Sequence, residues 1–167
     1  VLKVPITMST VVTQDPEQID RPDEPWKYPY VAAVVDFGSN FSIKVTTQSS
    51  SRVGYIISPQ VIITSTAPAV MGFLEEFTEN HGFRPQFRED KNSDSIRMEV
   101  TKRDDVEQLR RLAEPYIIAR REATAIMLGD LLPGLNEGKH SSEEGFVELM
   151  GYVDQIRDAT TRRADPK

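Results

Sequence analysis

The acids, bases and histidines of this chain limit the chemistry open to it. Asp36 closes an apolar run just ahead of Phe37-Gly38 and reads as a helix-end carboxylate that bonds locally. Glu75, Glu76 and Glu79 fall at helical spacing, as do Glu143, Glu144 and Glu148, and both sets read as solvated helix faces. The chain has no cysteine and only two histidines, which excludes a thiol nucleophile, a thiolate zinc site and a multi-histidine metal site within one copy. No metal site and no cofactor are therefore expected. His81 beside Gly82 suits a helix C-terminus, where a cation or donor is favoured. His140 falls in a polar loop and reads as uninvolved, and Arg120 beside Arg121 reads as an exposed helix base.

These side chains are carried by elements with clear periodicity. Pro29 fits a first helical turn, and Tyr30-Val31-Ala32-Ala33-Val34-Val35 forms an apolar helix that stops at Gly38. Phe41, Ile43 and Val45 alternate with Ser42, Lys44 and Thr46, the mark of a half-buried strand. After a polar turn at Ser49-Ser50-Ser51, a second strand runs from Tyr55 to Thr64, with Ile57, Val61 and Ile63 on one face. Pro68 opens a helix bearing Val70, Phe73, Leu74 and Phe77, which Gly82 ends. Two shorter strands are expected near Arg84 to Arg88 and Ser95 to Thr101. Asp104 or Asp105 should cap a helix carrying Val106, Leu109, Leu112 and Ala113 as far as Pro115. A further helix covers about Ala119 to Leu132 and stops before Pro133. The last spans Ser142 to Arg162 and buries Phe146, Leu149, Met150, Val153 and Ile156. The expected class is α+β, a four-stranded antiparallel sheet backed by helices in the order αββαββα.

At 167 residues and 38% hydrophobic content the chain is long enough for one packed domain, expected over residues 26–163 with a tail at 164–167. Residues 1–25 lack hydrophobic period and read as a flexible acidic leader, with Met8 a candidate natural start. No apolar run approaches the roughly 20 residues of a membrane helix. The net charge of −6 speaks against a nucleic-acid partner, but its distribution is uneven. Five acids and one base lie between Asp15 and Glu24, whereas Asn40 to Thr66 holds Lys44, Arg52 and no acid.

Val31-Ala32-Ala33-Val34-Val35-Asp36-Phe37-Gly38-Ser39 aligns without gaps on the nine-residue signature of the LAGLIDADG homing endonucleases, and the chain resembles that family beyond it. Phe41-Ser42-Ile43-Lys44-Val45 resembles the strand that follows the signature. Met98 to Val106 is similar to a fourth strand leading into a helix. Glu114-Pro115-Tyr116-Ile117-Ile118-Ala119-Arg120-Arg121-Glu122-Ala123 resembles the junction between late helices, and Phe146 with Val153-Asp154-Gln155-Ile156 the closing helix.

The resemblance implies a saddle-shaped sheet lying in the DNA major groove, with outward strand residues reading base edges. Period-2 logic then selects Ser42, Lys44, Thr46 and Gln48 on the first strand, with Arg52 at its turn. It adds Ser58, Gln60, Ile62 and Thr64 on the second strand, and Arg84, Gln86, Arg88, Arg97 and Glu99 on the last two. Arg suits guanine, Gln suits adenine, and Lys or Thr suits phosphate or base edges. The resemblance further implies a homodimer built on the signature helix, with Val31, Ala32, Ala33 and Val35 at the interface. It places a possible phosphate contact at Arg120. In the family the eighth signature position supplies the carboxylate that holds Mg²⁺ for strand cleavage, and here it is Gly38. Asp36, two residues earlier, is a weak substitute, because two residues turn a helix by roughly 200°.

The leading expectation is a sequence-specific reader of double-stranded DNA that cannot cut, with a role in regulating transcription. A dimer implies a pseudo-palindromic site of about 20 base pairs. The alternatives are an active Mg²⁺-dependent homing endonuclease, an RNA-binding splicing helper, and an interaction domain with no nucleic-acid partner. A prokaryotic cytoplasm, with association to the nucleoid, is the expected location.

Overall fold

The computed structural model describes residues 25–90 and 92–161, the side chains of residues 39–41 excepted. The expected acidic leader, apart from Pro25, and the expected tail lie outside the described residues.

The period-2 segments pair as they should. β1 (Ser39–Thr47) and β2 (Tyr55–Ser65) form an antiparallel hairpin, and β3 (Gln86–Asp90) and β4 (Ser95–Val100) form a second. β2 also pairs antiparallel with β4, giving a four-stranded sheet in the order β1-β2-β4-β3. The α+β architecture expected from the sequence is the one observed. Because successive side chains alternate across a pleated strand, the register divides the sheet into two faces. Ile57, Val61, Ile63, Met98 and Val100 are buried beneath the helices.

Among the described residues six α-helices supply the backing: α1 (Lys27–Ala33), α2 (Pro68–Asn80), α3 (Arg103–Ala113), α4 (Arg121–Ile126), α5 (Leu132–Asn136) and α6 (Glu143–Thr161). α1 does not end cleanly. It widens into a π-turn over Val34–Gly38 that leads straight into β1. α2 buries Met71, Leu74, Phe77 and Thr78, and it closes at His81, whose Nδ1 lies 2.8 Å from the Phe77 carbonyl. Gly82 follows at φ +72°, the left-handed conformation that a helix stop of this kind needs.

Three expectations about helix and strand ends need correction. Asp104 and Asp105 do not cap α3: Lys102 holds the N-cap position, and Asp105 is buried and accepts a bond from the Arg84 backbone N–H at 3.2 Å. The helix expected to stop before Pro133 continues to Asn136. A π-turn over Met127–Leu131 intervenes, and Pro133 follows directly after it at the start of α5. The third strand begins at Gln86, so Arg84 precedes it. Close packing also sets one glycine: a Cβ on Gly134 would lie 2.7 Å from Leu149 Cδ2, which brings α5 against α6.

Among the described residues no helix is long and apolar enough to cross a membrane.

Candidate nucleic-acid interface

The face of the sheet turned away from the helices carries the residues selected by alternation. Lys44 of β1 lies opposite Ser58 of β2, Ser42 opposite Gln60, and Thr46 opposite Ile56. Across β2 and β4, Thr64 pairs with Arg97 and Ile62 with Glu99, and β3 adds Arg88 opposite Arg97 and Gln86 opposite Glu99. Four strands therefore place Ser42, Lys44, Thr46, Gln60, Thr64, Gln86, Arg88, Arg97 and Glu99 on one surface.

Several of these side chains already hold one another. Gln60 Nε2 donates to Ser42 Oγ at 3.1 Å, and Arg88 donates to Gln86 Oε1 at 3.0 Å. Arg97 Nε lies 2.7 Å from Glu99 Oε1, so this arginine is pre-oriented and half neutralised. Lys44 and Arg88 are exposed and supply the cationic character of the face. Ile62 departs from expectation. It faces the same side but is only 8% exposed, because a central strand position is walled in by its neighbours on β1 and β4. Gln48 and Arg52 lie exposed beyond the strands, in the β1–β2 turn, and exposed Arg84 lies before β3.

The end of α1 is organised by Asp36, which is 1% exposed. Its Oδ2 accepts from the Ile118 and Ala119 backbone N–H groups at 3.0 and 2.7 Å, and its Oδ1 accepts from that of Arg120 at 2.9 Å. The carboxylate thus bonds 82 to 84 residues away along the chain, where local bonding was expected. This contact ties the turn before α4 to the end of the signature segment and fixes Arg120 beside it. Arg110 of α3 is completely buried nearby. Burial, helped by the Arg120 charge and opposed by Asp36, pushes its guanidinium down to about 9. Arg110 therefore stays charged at neutral pH, in the field of Asp36. The sequence held a signal for it: residue 110 falls on the same helical stripe as buried Val106, Leu109 and Ala113.

The expected dimer residues divide. Val31, Ala32 and Val35 are 2, 0 and 0% exposed and belong to the core of the single chain, so they are not available to a partner. The reason is helical geometry. Residues 31, 32 and 35 share the side on which α1 packs on α3 and the π-turn packs on the sheet, leaving Ala33 on the opposite side. Trp26, Tyr30 and Phe37 join Ala33 there, 40, 39 and 63% exposed.

Position 38 carries no oxygen in its side chain. A Cβ built there would meet Val34 Cγ1 at 3.8 Å, an ordinary van der Waals contact. Both oxygens of Asp36 are committed to backbone N–H groups, and among the described residues no three acids or histidines converge as a metal site.

No protein-family model and no curated protein matches the sequence. Solved structures do. An archaeal intron-encoded homing endonuclease, I-Vdi141I, complexed with DNA superposes with a TM-score of 0.69 at 18% identity, over 82% of this chain and 86% of that one. The fold is that of the LAGLIDADG homing endonucleases. I-CvuI, in complex with its target in the presence of Ca, matches with a TM-score of 0.67 at 15% identity, over 85% and 84% of the two chains. The LAGLIDADG homing endonuclease I-LtrWI, bound to target DNA, matches with a TM-score of 0.66 at 11% identity, over 76% of this chain and 43% of its own. At such identities the likeness lies in the fold. Within the LAGLIDADG fold the segment Val31–Ser39 is the end of α1 and the π-turn, and Gly38 stands at its exit into β1.

Proposed function

We propose that this chain is a sequence-specific double-stranded DNA-binding protein that works as a homodimer and does not cut its site. The observation that carries the reading is the outer face of the sheet. Its register gathers lysine, arginine, glutamine, serine and threonine from all four strands onto one surface, in a fold whose solved examples include several complexed with DNA. Those side chains are the donors and acceptors that read base edges and phosphates.

Homodimerisation is supported by the stripe of Trp26, Tyr30, Ala33 and Phe37, spaced by four, three and four residues along one side of the signature segment. The match to I-LtrWI takes 76% of this chain and 43% of that one, leaving room there for a second unit of similar size. A second copy would supply that unit here. The residues present do not fit Mg²⁺. The carboxylate position is Gly38, and Asp36 is buried with its oxygens spent on residues 118–120. A dimer that holds an intact site acts by occupancy, which suits a regulator of transcription.

The test is selection from a randomised duplex library in Mg²⁺ at moderate salt, since phosphate contacts are salt-sensitive. Recovery of a two-fold motif with uncut ends is the expected result. Ends clustered at one position inside the motif would mean that the chain cleaves, and capture of structured RNA in preference to duplex would mean a different substrate. On the recovered site, the double replacement of Lys44 and Arg88 by alanine should weaken binding by at least tenfold with the thermal midpoint unchanged. Equal affinity would remove the sheet face from the reading. Gly38→Asp has room for its Cβ and should change the unfolding free energy by no more than about 1 kcal/mol. It is expected to gain Mg²⁺-dependent nicking of the bound duplex. A folded, DNA-binding variant without nicking would show that more than one carboxylate is missing.

A further inference from the structure

At the far end of the β1–β2 hairpin the structure holds a hollow of about 410 Å³, lined by Gln48, Ser50, Arg52, Ile56, His140 and Ser141. Two distant stretches of chain build it: the hairpin turn, and the short 3₁₀ turn Lys139–Ser141 ahead of α6. Its lining contains no carboxylate, in a chain whose net charge is −6. Glu143 lines the adjoining groove, which shares Arg52 and Ser141.

The hydrogen-bonding state of the lining favours donors. Gln48 Nε2 donates to Ser50 Oγ at 2.9 Å, which satisfies that oxygen as an acceptor and leaves its O–H to donate. The Ser51 hydroxyl is already spent on the Tyr55 carbonyl at 2.8 Å. His140 Nδ1 is shut away from solvent with no partner. A buried orphan acceptor costs less than a buried orphan N–H, which favours the tautomer with its N–H on Nε2. The hollow therefore offers a guanidinium, an imidazole N–H and the Ser50 and Ser141 hydroxyls, a donor set matched to a phosphate oxygen.

Its location identifies which phosphate. Ile56 lies opposite Thr46 on the outer face of the sheet, so the hollow opens beside the base-reading surface. β1 runs nine residues from the Gly38 end to this turn. At roughly 3.3 Å per residue that is about 30 Å, or about nine base pairs of duplex. We propose that Arg52, His140 and Ser141 form a clamp for a backbone phosphodiester at the outer end of each half-site, about nine base pairs from the dyad.

This proposal rests on the duplex-binding reading, and the test separates the two. Duplexes carrying the selected motif are prepared with a neutral methylphosphonate at successive single phosphates across the outer third of each half-site. The wild-type chain and the double variant Arg52→Gln, His140→Ala are compared at several salt concentrations. One outer methylphosphonate should weaken the wild type about tenfold and leave the double variant unaffected. The double variant should bind unmodified duplex more weakly, with a salt slope lower by roughly two for the dimer, about 0.9 per lost phosphate contact. A matching thermal midpoint confirms that it is folded. Equal sensitivity of both proteins at every outer phosphate, or insensitivity of the wild type, would overturn the clamp while leaving the DNA reading in place. Failure of the wild type to bind any duplex would overturn both.

Discussion

Asp36→Ala should lower the unfolding free energy by about 3–5 kcal/mol, the largest loss expected from any single replacement in the signature segment. The carboxylate is 1% exposed and accepts three backbone N–H groups at 2.7 to 3.0 Å. Removing it leaves three part-buried donors without their acceptor, each at a cost of up to about 1–3 kcal/mol before relaxation. It also strips the opposing charge from the neighbourhood of buried Arg110. Asp36→Asn is the sharper probe. An asparagine can satisfy one side of this cradle with its oxygen, but its amide group must then face a backbone N–H, so part of the loss should persist. Urea unfolding gives the magnitude, and amide exchange gives the location. Ile118, Ala119 and Arg120 should exchange faster in both variants. A loss below about 1 kcal/mol in both, with unchanged exchange at those three amides, would show that the contact does not hold the turn.

Phe37→Asp should abolish dimerisation while leaving the fold of the single chain intact. Phe37 is 63% exposed and completes the stripe with Trp26, Tyr30 and Ala33. A charge there would be buried without a partner against its symmetry mate, a penalty that a two-fold axis applies twice. Sedimentation should find the wild type at twice the 18.9 kDa chain mass and the variant at one. The unfolding free energy of the variant should shift by no more than about 0.5 kcal/mol, as at other exposed positions. Affinity for a two-fold duplex site should fall a hundredfold or more, because the second half-site is no longer tethered to the first. A variant that remains dimeric would move the interface off α1, and full affinity in a monomeric variant would end the case for a paired saddle.

Neither result could be read from the sequence, although much of what surrounds them could. The pleat is a local property of an extended chain, so alternation alone assigned Ser42, Lys44, Thr46, Gln60, Thr64, Gln86, Arg88, Arg97 and Glu99 to one face, and the register agrees. The helical stripe of α6 was legible in the main, with Leu149, Val153 and Ile156 buried and Phe146 and Met150 partly buried against them. The nine-residue signature was legible too, with Gly38 where the resemblance implies an acid.

What remained hidden depends on which segments meet. A helix that is apolar all round, as Tyr30 to Val35 is, does not declare which side goes inward. Only packing on the sheet and α3 put Val31, Ala32 and Val35 in the core and left Ala33 outside. Alternation likewise aims Ile62 outward but cannot show that β1 and β4 wall it in to 8% exposure. Asp36 finds its donors 82 to 84 residues away, and Arg52 shares a hollow with His140 from another part of the chain. Direction along a strand or helix is set by backbone geometry over a few residues, and the sequence determines it. Partnership between distant segments is settled by burial and hydrogen-bond satisfaction in the assembled fold, and that only the tertiary structure decides.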